Sequence, residues 1–286
     1  MAERIRLVFE VILAAMLIPM CARPQTTASQ GPAFEVASIK LDKNFPKSYS
    51  LPTLSNGRLR ATATVSQLIA TAYGLPFNAS PRLSGGPDWI YETQSAYQID
   101  ATGSLPDGLS NSARRQQERL MLQTLLADRF QLVIHRERRK IPVYELVVDK
   151  HGSKLDPANT NETECAQAAA RAEVPCHQFG GGQGRGLQAR AATTADLVSF
   201  VENWSGRPLL DRTKLLGLYR FDTQPFLPMA MLANPPAAGI KGEAGTDLAD
   251  LPTLFQVFER LGLKMKPKKA KLEVYVIDSV QRPAEN

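Results

Sequence analysis

The sequence is poor in the residues that most metal sites and covalent catalysts require. Its 286 residues include three cysteines and three histidines. So few cysteines exclude a disulfide-dense scaffold, and the isolated histidines offer no metal-binding pair. The glycine-rich stretch at 180–186 lacks the Lys-Ser/Thr of a phosphate-binding loop, and no serine lies in a Gly-x-Ser-x-Gly turn. We therefore predict no cofactor and no metal, while a hydrolase-like active site assembled from distant residues stays open.

The overall composition is that of a globular protein. Apolar residues make up 43% and charged residues 22% of the chain, which is close to globular averages and argues against disorder or a polytopic membrane protein. The length suits one large domain or two of ordinary size. The net charge of +6 is mildly basic and spread over many residues.

The N-terminus has the pattern of an export signal. Arg4 and Arg6 precede an apolar run at 11–22 that only Pro19 interrupts. A transmembrane helix needs about 20 apolar residues, whereas a basic start before a short apolar segment is typical of a secretory signal peptide. We predict a signal peptide over residues 1–28, no integral membrane span after its cleavage, and an exported protein in the periplasm or outside the cell.

Two cysteines remain once this segment is removed. Cys165 and Cys176 lie in a polar stretch, and in an oxidising compartment their simplest fate is a disulfide. A metal site that adds His177 would lack a fourth ligand at a usual spacing. Lipidation of Cys21 is an alternative for the N-terminus, as is an uncleaved anchor, although Met20 fits the lipidation chemistry poorly.

Two helical segments begin alike. GRLRATATVSQLIATAYGLP and GLQARAATTADLVSFVENWSGRP align so that Thr64 matches Thr193 and Gln67 matches Asp196. Each threonine is suited to cap a helix N-terminus, and the acceptor side chain three residues later completes a capping box. Each helix is followed by an apolar strand, YQIDAT in the first case and YRFDTQ in the second.

A second pair of segments also matches. Apolar residues at helical spacing occur at 122–130 and again at 254–261. After the first helix, QLVIH, RERRK and PVYELVV predict a strand, a charged turn and a strand. After the second, GLKMK, PKKAK and LEVYVID predict the same hairpin, with Tyr144 equivalent to Tyr275.

These matches predict an α+β fold that arose by tandem duplication of helix-plus-antiparallel-hairpin units. The first half spans residues 34–155, a flexible linker spans 156–185, and the second half spans 186–286. Each helix must bury its apolar stripe against a sheet. The residues expected in the core are Leu125, Leu126, Tyr144, Leu146, Phe258, Leu261, Tyr275 and Ile277.

Several segments resemble a single family pattern. They are FEVASIK, GGPDWI, LLADRFQLVIHRERRKIPVYELVV, GRPLLDRTKLLGLYRFD, LGLKMKPKKAKLEVYVIDSV and the terminal RPAEN. Over residues 34–286 the chain resembles the Solibacter-type uncharacterised domain family of exported acidobacterial proteins. This resemblance implies export and fold but no chemistry. Its units are also similar to the short N-terminal domains of secretins and TonB-dependent receptors, which are small α+β modules of the cell envelope.

The chain departs from that family at one tetrapeptide. The family usually has Asp-Lys-Thr-Gly where this chain has Asp211, Arg212, Thr213 and Lys214. The family tetrapeptide also occurs at the phosphorylated aspartate of transport ATPases, but the large transmembrane segments of those enzymes do not follow. We expect a turn before the strand LYRFD.

The charged turns of the two predicted hairpins are the candidate functional site. They carry nine basic residues: Arg136, Arg138, Arg139, Lys140, Lys264, Lys266, Lys268, Lys269 and Lys271. Such a cluster indicates a patch for an anionic surface or an envelope protein, although lysines also protect exposed strand edges. Nucleic acid is disfavoured because the protein is expected to be exported and no stacking aromatic motif accompanies the charge. The sequence therefore favours a non-catalytic binding module over a secreted enzyme.

Overall fold

The structure is a computed structural model that describes residues 31–77, 80–170, 176–182, 184–227, 229–234, 236–242 and 245–284. The predicted signal peptide at 1–28 lies outside the described residues. Within the described residues, no helix is both long enough and apolar enough to cross a membrane.

Twelve strands and five helices make up the described chain. The first part supplies β1 (Val36–Leu41), β2 (Ser50–Ser55), β3 (Arg58–Thr64), α1 (Val65–Ala72), β4 (Leu83–Gly85), β5 (Ala96–Thr102), α2 (Asn111–Phe130) and β6 (Val133–Val148). The second part supplies β7 (Asp156–Pro157), α3 (Glu162–Ala170), β8 (Gly180–Gly182), β9 (Gly186–Ala192), α4 (Thr194–Ser205), β10 (Leu209–Asp211), β11 (Tyr219–Asp222), α5 (Leu254–Arg260) and β12 (Leu263–Ser279). The α+β fold class is thereby confirmed.

The first lobe consists of an antiparallel sheet in the order β1-β5-β3-β2 together with α1 and α2. Alternate residues of β3 and β5 point inward, as a half-buried sheet requires. Leu59 and Ile99 from the sheet and Leu68, Leu122 and Phe130 from the helices are almost fully buried in one core. The apolar stripes of both predicted helices therefore cover this sheet.

The second lobe repeats this arrangement. Its antiparallel sheet has the order β7-β11-β9-β8, and α4 and α5 contribute to its core. Leu187, Leu197, Phe221, Phe226 and Phe258 are buried there. The two lobe sheets have the same strand order. If the four strands of each sheet are numbered along the chain, their order across the sheet is first, fourth, third, second.

The segment 156–185 was expected to be a linker, but it contributes to the second lobe. It supplies β7, α3 and β8. Strand β7 pairs with β11, and strand β8 pairs with β9. Cys165 and Cys176 form a disulfide, and both pack against Ala191 and Leu218. The disulfide prediction is confirmed, and the metal alternative is wrong because each sulfur is bonded to the other.

A third sheet, in the order β10-β6-β12-β4, joins the two lobes. Its centre is a ribbon in which β6 and β12 pair antiparallel, from Val148 opposite Leu263 to Val133 opposite Ser279. The short strands β10 and β4 add parallel partners at 144–146 and 275–277.

The two predicted hairpins are wrong. The segments RERRK and PKKAK lie inside the continuous strands β6 and β12, and each long strand pairs with the other rather than folding back on itself. Neither segment contains the Gly, Asn or Asp that a tight hairpin turn requires. Pro142 and Pro267 are tolerated within these long strands because β10 and β4 leave most of the outer strand edges open.

The helix starts are confirmed. Thr64 with Gln67 and Thr193 with Asp196 form capping boxes at α1 and α4, and Thr253 forms a third at α5. The local capping chemistry was therefore sufficient to place these helices.

Most of the predicted core residues are buried, whereas Tyr144 and Leu261 are only partly buried.

Candidate functional site

The nine predicted basic residues all lie on the central ribbon, but on both of its faces. Side chains alternate between the two faces of a strand, and directly paired residues share a face. The register places five cations on one face: Arg136, Arg138, Lys140, Lys269 and Lys271. The other four lie on the opposite face: Arg139, Lys264, Lys266 and Lys268. The single predicted patch is therefore two separate surfaces.

The face with five cations also contributes residues to the hydrophobic cores of both lobes. Tyr275 and Ile277 belong to the core of the first lobe, whereas Leu146, Leu263 and Met265 belong to the core of the second. All five of these residues share the face of Lys140 in the ribbon register. We call this the inner face, and its five cations form a basic strip between the two lobes.

The basic strip holds like charges close together. All five side chains are exposed, and Lys140 lies directly opposite Lys271. Glu273 is the one carboxylate among the inner-face positions of the described ribbon, and its Oε1 lies 3.9 Å from Arg136 Nη1. Because like charges directly opposite each other destabilise a sheet, the strip carries uncompensated positive charge at a cost in stability.

The outer face is more balanced. Arg139 forms an ion pair with Glu137, and the Arg212 side chain lies 3.7 Å from Glu145. Lys266 is directly opposite Glu145 in the register. Two of the four outer-face cations, Arg139 and Lys266, thus have an acidic neighbour, and the inner-face strip is the stronger candidate for an anionic partner.

Contacts between the lobes close one flank of the inner face. The Phe77 backbone N–H donates to Asn203 Oδ1 at 3.3 Å, and Arg82 Nη1 lies 4.0 Å from Glu202 Oε1. Arg82 Nε also donates to the Glu273 carbonyl at 3.3 Å. Sequence reasoning missed Arg82 and Glu202, since neither belongs to a charge cluster or a motif.

Aromatic packing fixes the first-lobe end of the strip. The rings of Tyr73 and Tyr275 are 4.9 Å apart, and the Arg136 guanidinium lies 5.3 Å from the Tyr275 ring centroid. Burial, followed by the neighbouring Glu273, raises the pKa of Tyr275, while Arg136 acts in the opposite direction. Arg136 is therefore held in place by a cation–π contact as well as by charge.

The histidines form contacts with carboxylates. His135 Nδ1 lies 2.9 Å from Asp278, and His177 lies between Asp196 at 2.8 Å and Glu162 at 2.9 Å. Within the described part of the chain, no histidine ring makes a hydrogen bond to a serine, threonine or cysteine side chain. The described histidines are thus not paired with a nucleophile in the way that a Ser-His or Cys-His site pairs them.

The tetrapeptide at 211–214 has a structural role. Asp211 Oδ1 accepts hydrogen bonds from the Thr213 backbone N–H at 2.9 Å and hydroxyl at 2.7 Å. Its Oδ2 accepts from the Thr194 hydroxyl at 2.6 Å. Asp211 therefore stabilises the expected turn and ties it to the start of α4.

Two of the family-like segments meet each other. The guanidinium of Arg282, in the terminal RPAEN, lies 4.5 Å from the ring centroid of Trp89 in GGPDWI. Arg282 Nη1 also donates to Ser95 Oγ at 3.1 Å. A Cβ at Gly85 would lie only 2.7 Å from the Ile277 carbonyl oxygen, and the φ of 81° there also favours glycine. These segments hold the C-terminus and β4 against the first lobe.

Comparison with known proteins gives one match. No curated protein and no solved structure matches the chain significantly. A family model described as "Protein of unknown function (DUF3738)" matches residues 66–280. The match covers most of the chain, from α1 to the end of β12. The chain therefore belongs to the DUF3738 family of proteins of unknown function.

Proposed function

We propose that this protein is an exported, non-catalytic binding module that holds an acidic segment of another envelope protein on its basic strip. The observation that carries the proposal is the position of the five inner-face cations. They lie side by side, exposed, with Glu273 as the nearby carboxylate. A surface field of one sign attracts and orients a partner of opposite charge.

The geometry favours an extended acidic chain over a flat anionic surface. The cores of both lobes reach the inner face of the ribbon, one at each end, so the strip lies between them along the ribbon. An extended peptide rises about 3.3 Å per residue, as a strand does, and can follow the cations along the ribbon. A flat lipid surface offers no such linear match to the row of cations.

Export is supported by two observations. The disulfide between Cys165 and Cys176 suits an oxidising compartment. The basic, then apolar, N-terminus has the pattern of a secretory signal. A mature chain that starts between about residues 23 and 30 and lies outside the cytoplasm is the expected result of cell fractionation.

A tandem duplication would explain how two similar lobes come to flank one strip. The two lobe sheets share one strand order. Leu83 pairs with Tyr275 and Leu209 pairs with Tyr144, and these tyrosines are equivalent positions of the predicted repeat. Lys140 and Lys271 are also equivalent under that alignment, and they face each other at the middle of the ribbon. This agreement supports halves related by a pseudo-twofold axis through the strip.

Charge reversal on one face of the ribbon tests the proposal. A fluorescent ten-residue polyglutamate peptide would be titrated into the mature protein at low salt. We expect Lys140→Glu/Lys271→Glu to weaken binding by about ten-fold or more, because a favourable charge is replaced by a repulsive one at two adjacent sites. The matched control, Lys264→Glu/Lys268→Glu, makes the same charge change on the outer face and should retain most of the affinity.

Three outcomes would overturn the proposal. The first is equal loss in both variants, which would indicate a general charge effect. The second is tighter binding of anionic lipid vesicles than of the peptide, and the third is tighter binding of single-stranded DNA.

A further inference from the structure

A cleft of about 520 Å³ lies between the two lobes, apart from the residues of the basic strip. One wall comes from α1, α2 and the chain that follows α1, and the other comes from α4. Apolar side chains line part of it, including Leu54, Leu75 and Phe77. This volume lies within the usual range of small-molecule sites, about 300–1,000 Å³.

The α2 wall presents two cations that have no protein partner. Arg115 and Arg119 are one helical turn apart and therefore share a face of α2. Both are exposed, and neither forms a hydrogen bond or ion pair within the described residues. The Arg119 guanidinium lies against Gly74, where an added Cβ would come within 2.9 Å of its Nη1. The wall therefore leaves two guanidinium groups available to an anion.

The α4 wall presents a buried carboxylate that is incompletely satisfied. The Glu202 side chain is 14% exposed, and its Oε1 has no hydrogen-bond partner among the described residues. Arg82 Nη1 is the nearest cation, at 4.0 Å. Burial raises the pKa of Glu202, and Arg82 lowers it to a smaller extent. Glu202 lines the cleft, so a cationic group of a bound ligand would compensate the charge of this carboxylate.

We infer that this cleft binds a short peptide or amino acid with free ends. The ligand carboxylate lies between Arg115 and Arg119, where guanidinium groups can donate paired hydrogen bonds. The ligand ammonium group pairs with the Glu202 carboxylate, which lines the cleft. A simple anion would leave Glu202 without a donor, and a simple cation would be repelled by the arginines. A zwitterion satisfies both walls and would bridge the two lobes.

The test uses three related tripeptides on the full mature protein. They are Ala-Ala-Ala with free ends, its N-acetyl form and its C-terminal amide, each titrated calorimetrically. We expect Arg115→Gln/Arg119→Gln to weaken binding of the free and acetylated forms about ten-fold and to leave the amide unchanged. We expect Glu202→Gln to weaken binding of the free and amidated forms by a similar factor and to leave the acetylated form unchanged. The factor corresponds to one charged hydrogen bond.

Two controls separate binding from folding and from the basic strip. Arg114→Gln removes the same charge from the same helix at a residue that contacts Asn56 instead of the cleft, and it should bind all three peptides as the wild type does. Glu202→Gln should not lower the unfolding midpoint at neutral pH, because the raised pKa means that burial disfavours the charged form. The strip variant Lys140→Glu/Lys271→Glu should bind Ala-Ala-Ala normally, so failure of one site is distinguishable from failure of the other.

The inference is overturned if Ala-Ala-Ala does not bind at millimolar concentration. It is also overturned if each cleft variant loses the same affinity for all three peptides. The two ends of the ligand would then not be bound by opposite walls of the cleft.

Discussion

Lys214 occupies a backbone conformation that favours glycine. Its φ is 59°, and its side chain is exposed beside the buried Thr213. The left-handed region costs an ordinary residue about 1–2 kcal/mol. The resemblance noted above has glycine at this point of the tetrapeptide, and the turn geometry gives the physical reason.

Lys214→Gly should raise the free energy of unfolding by up to about 1 kcal/mol. The relief of the left-handed strain is partly offset by the greater freedom of glycine in the unfolded chain, about 0.5–1 kcal/mol. Chemical denaturation measures the change, and Lys214→Ala serves as a control that keeps the strain. Equal stability of the two variants would contradict this account of the turn.

His177 joins the disulfide-bonded segment to the start of α4. The Asp196 carboxylate at 2.8 Å, and to a lesser extent Glu162 at 2.9 Å, raises the pKa of His177 above its ordinary value of 6.5, although burial acts the other way. Burial alone would raise the pKa of Asp196, but hydrogen bonds from Thr193 and His177 lower it. The imidazole thus bridges two carboxylates, and both contacts favour its protonated form.

His177→Gln should destabilise the protein at pH 6 and have less effect at pH 9. A raised histidine pKa contributes stability that is fully present below the unfolded value and is lost as the pH rises through the folded value. Thermal unfolding of wild type and variant at the two pH values gives the comparison. His151→Gln, at an exposed histidine, is the control, and a difference that grows with pH would contradict the bridge.

At the scale of elements, the helices were predictable and the long strands were not. The helix starts could be predicted because a capping box involves residues within one turn. Here these are Thr64 with Gln67 and Thr193 with Asp196. Whether β6 continues past Arg138 depends on β12, which begins more than a hundred residues later. A charged segment with a nearby proline resembles a turn until a partner strand is known.

The same distinction applies to the candidate site. The sequence located all nine basic residues, but only the register divides Lys140 and Lys271 from Lys264 and Lys266. The cleft residues Arg119 and Glu202 come from different lobes, and no local pattern connects them.

Lys271→Glu should stabilise the ribbon. Lys140 and Lys271 lie directly opposite each other, and the substitution turns this like-charge pair into a pair of opposite charges. Such a cross-strand pair contributes about 0.2–1 kcal/mol to sheet stability. Denaturation at low salt measures the gain, and high salt should reduce it. A gain in stability together with a loss of peptide affinity is expected of a residue kept for binding. A less stable variant would argue against the like-charge strain.

At the scale of the whole molecule, each half completes the core of the other. Tyr275 and Ile277, from the last strand, are buried in the first lobe. Leu146, from the first half, is buried in the second lobe. The ribbon is therefore part of both cores, and the two lobes are joined by more than their connecting chain.

Residues 31–155 and 156–286, made as separate fragments, should not fold alone. Each fragment would lack a strand that pairs along the full length of the ribbon and would expose core side chains to water. Mixed together, the fragments should recover the circular dichroism and the cooperative unfolding of the intact chain. Cooperative unfolding of either fragment alone would contradict this interdependence.

The most direct test of the central claim is the salt dependence of polyglutamate binding to the mature protein. If the basic strip holds an acidic chain mainly through charge, the dissociation constant should rise steeply between low and physiological salt, because exposed charges are screened over about 8 Å at 0.15 M. The dependence should be much weaker in Lys140→Glu/Lys271→Glu and unchanged in Lys264→Glu/Lys268→Glu. An affinity that does not change with salt, or the same dependence in all three proteins, would contradict the assignment of the strip as the binding surface.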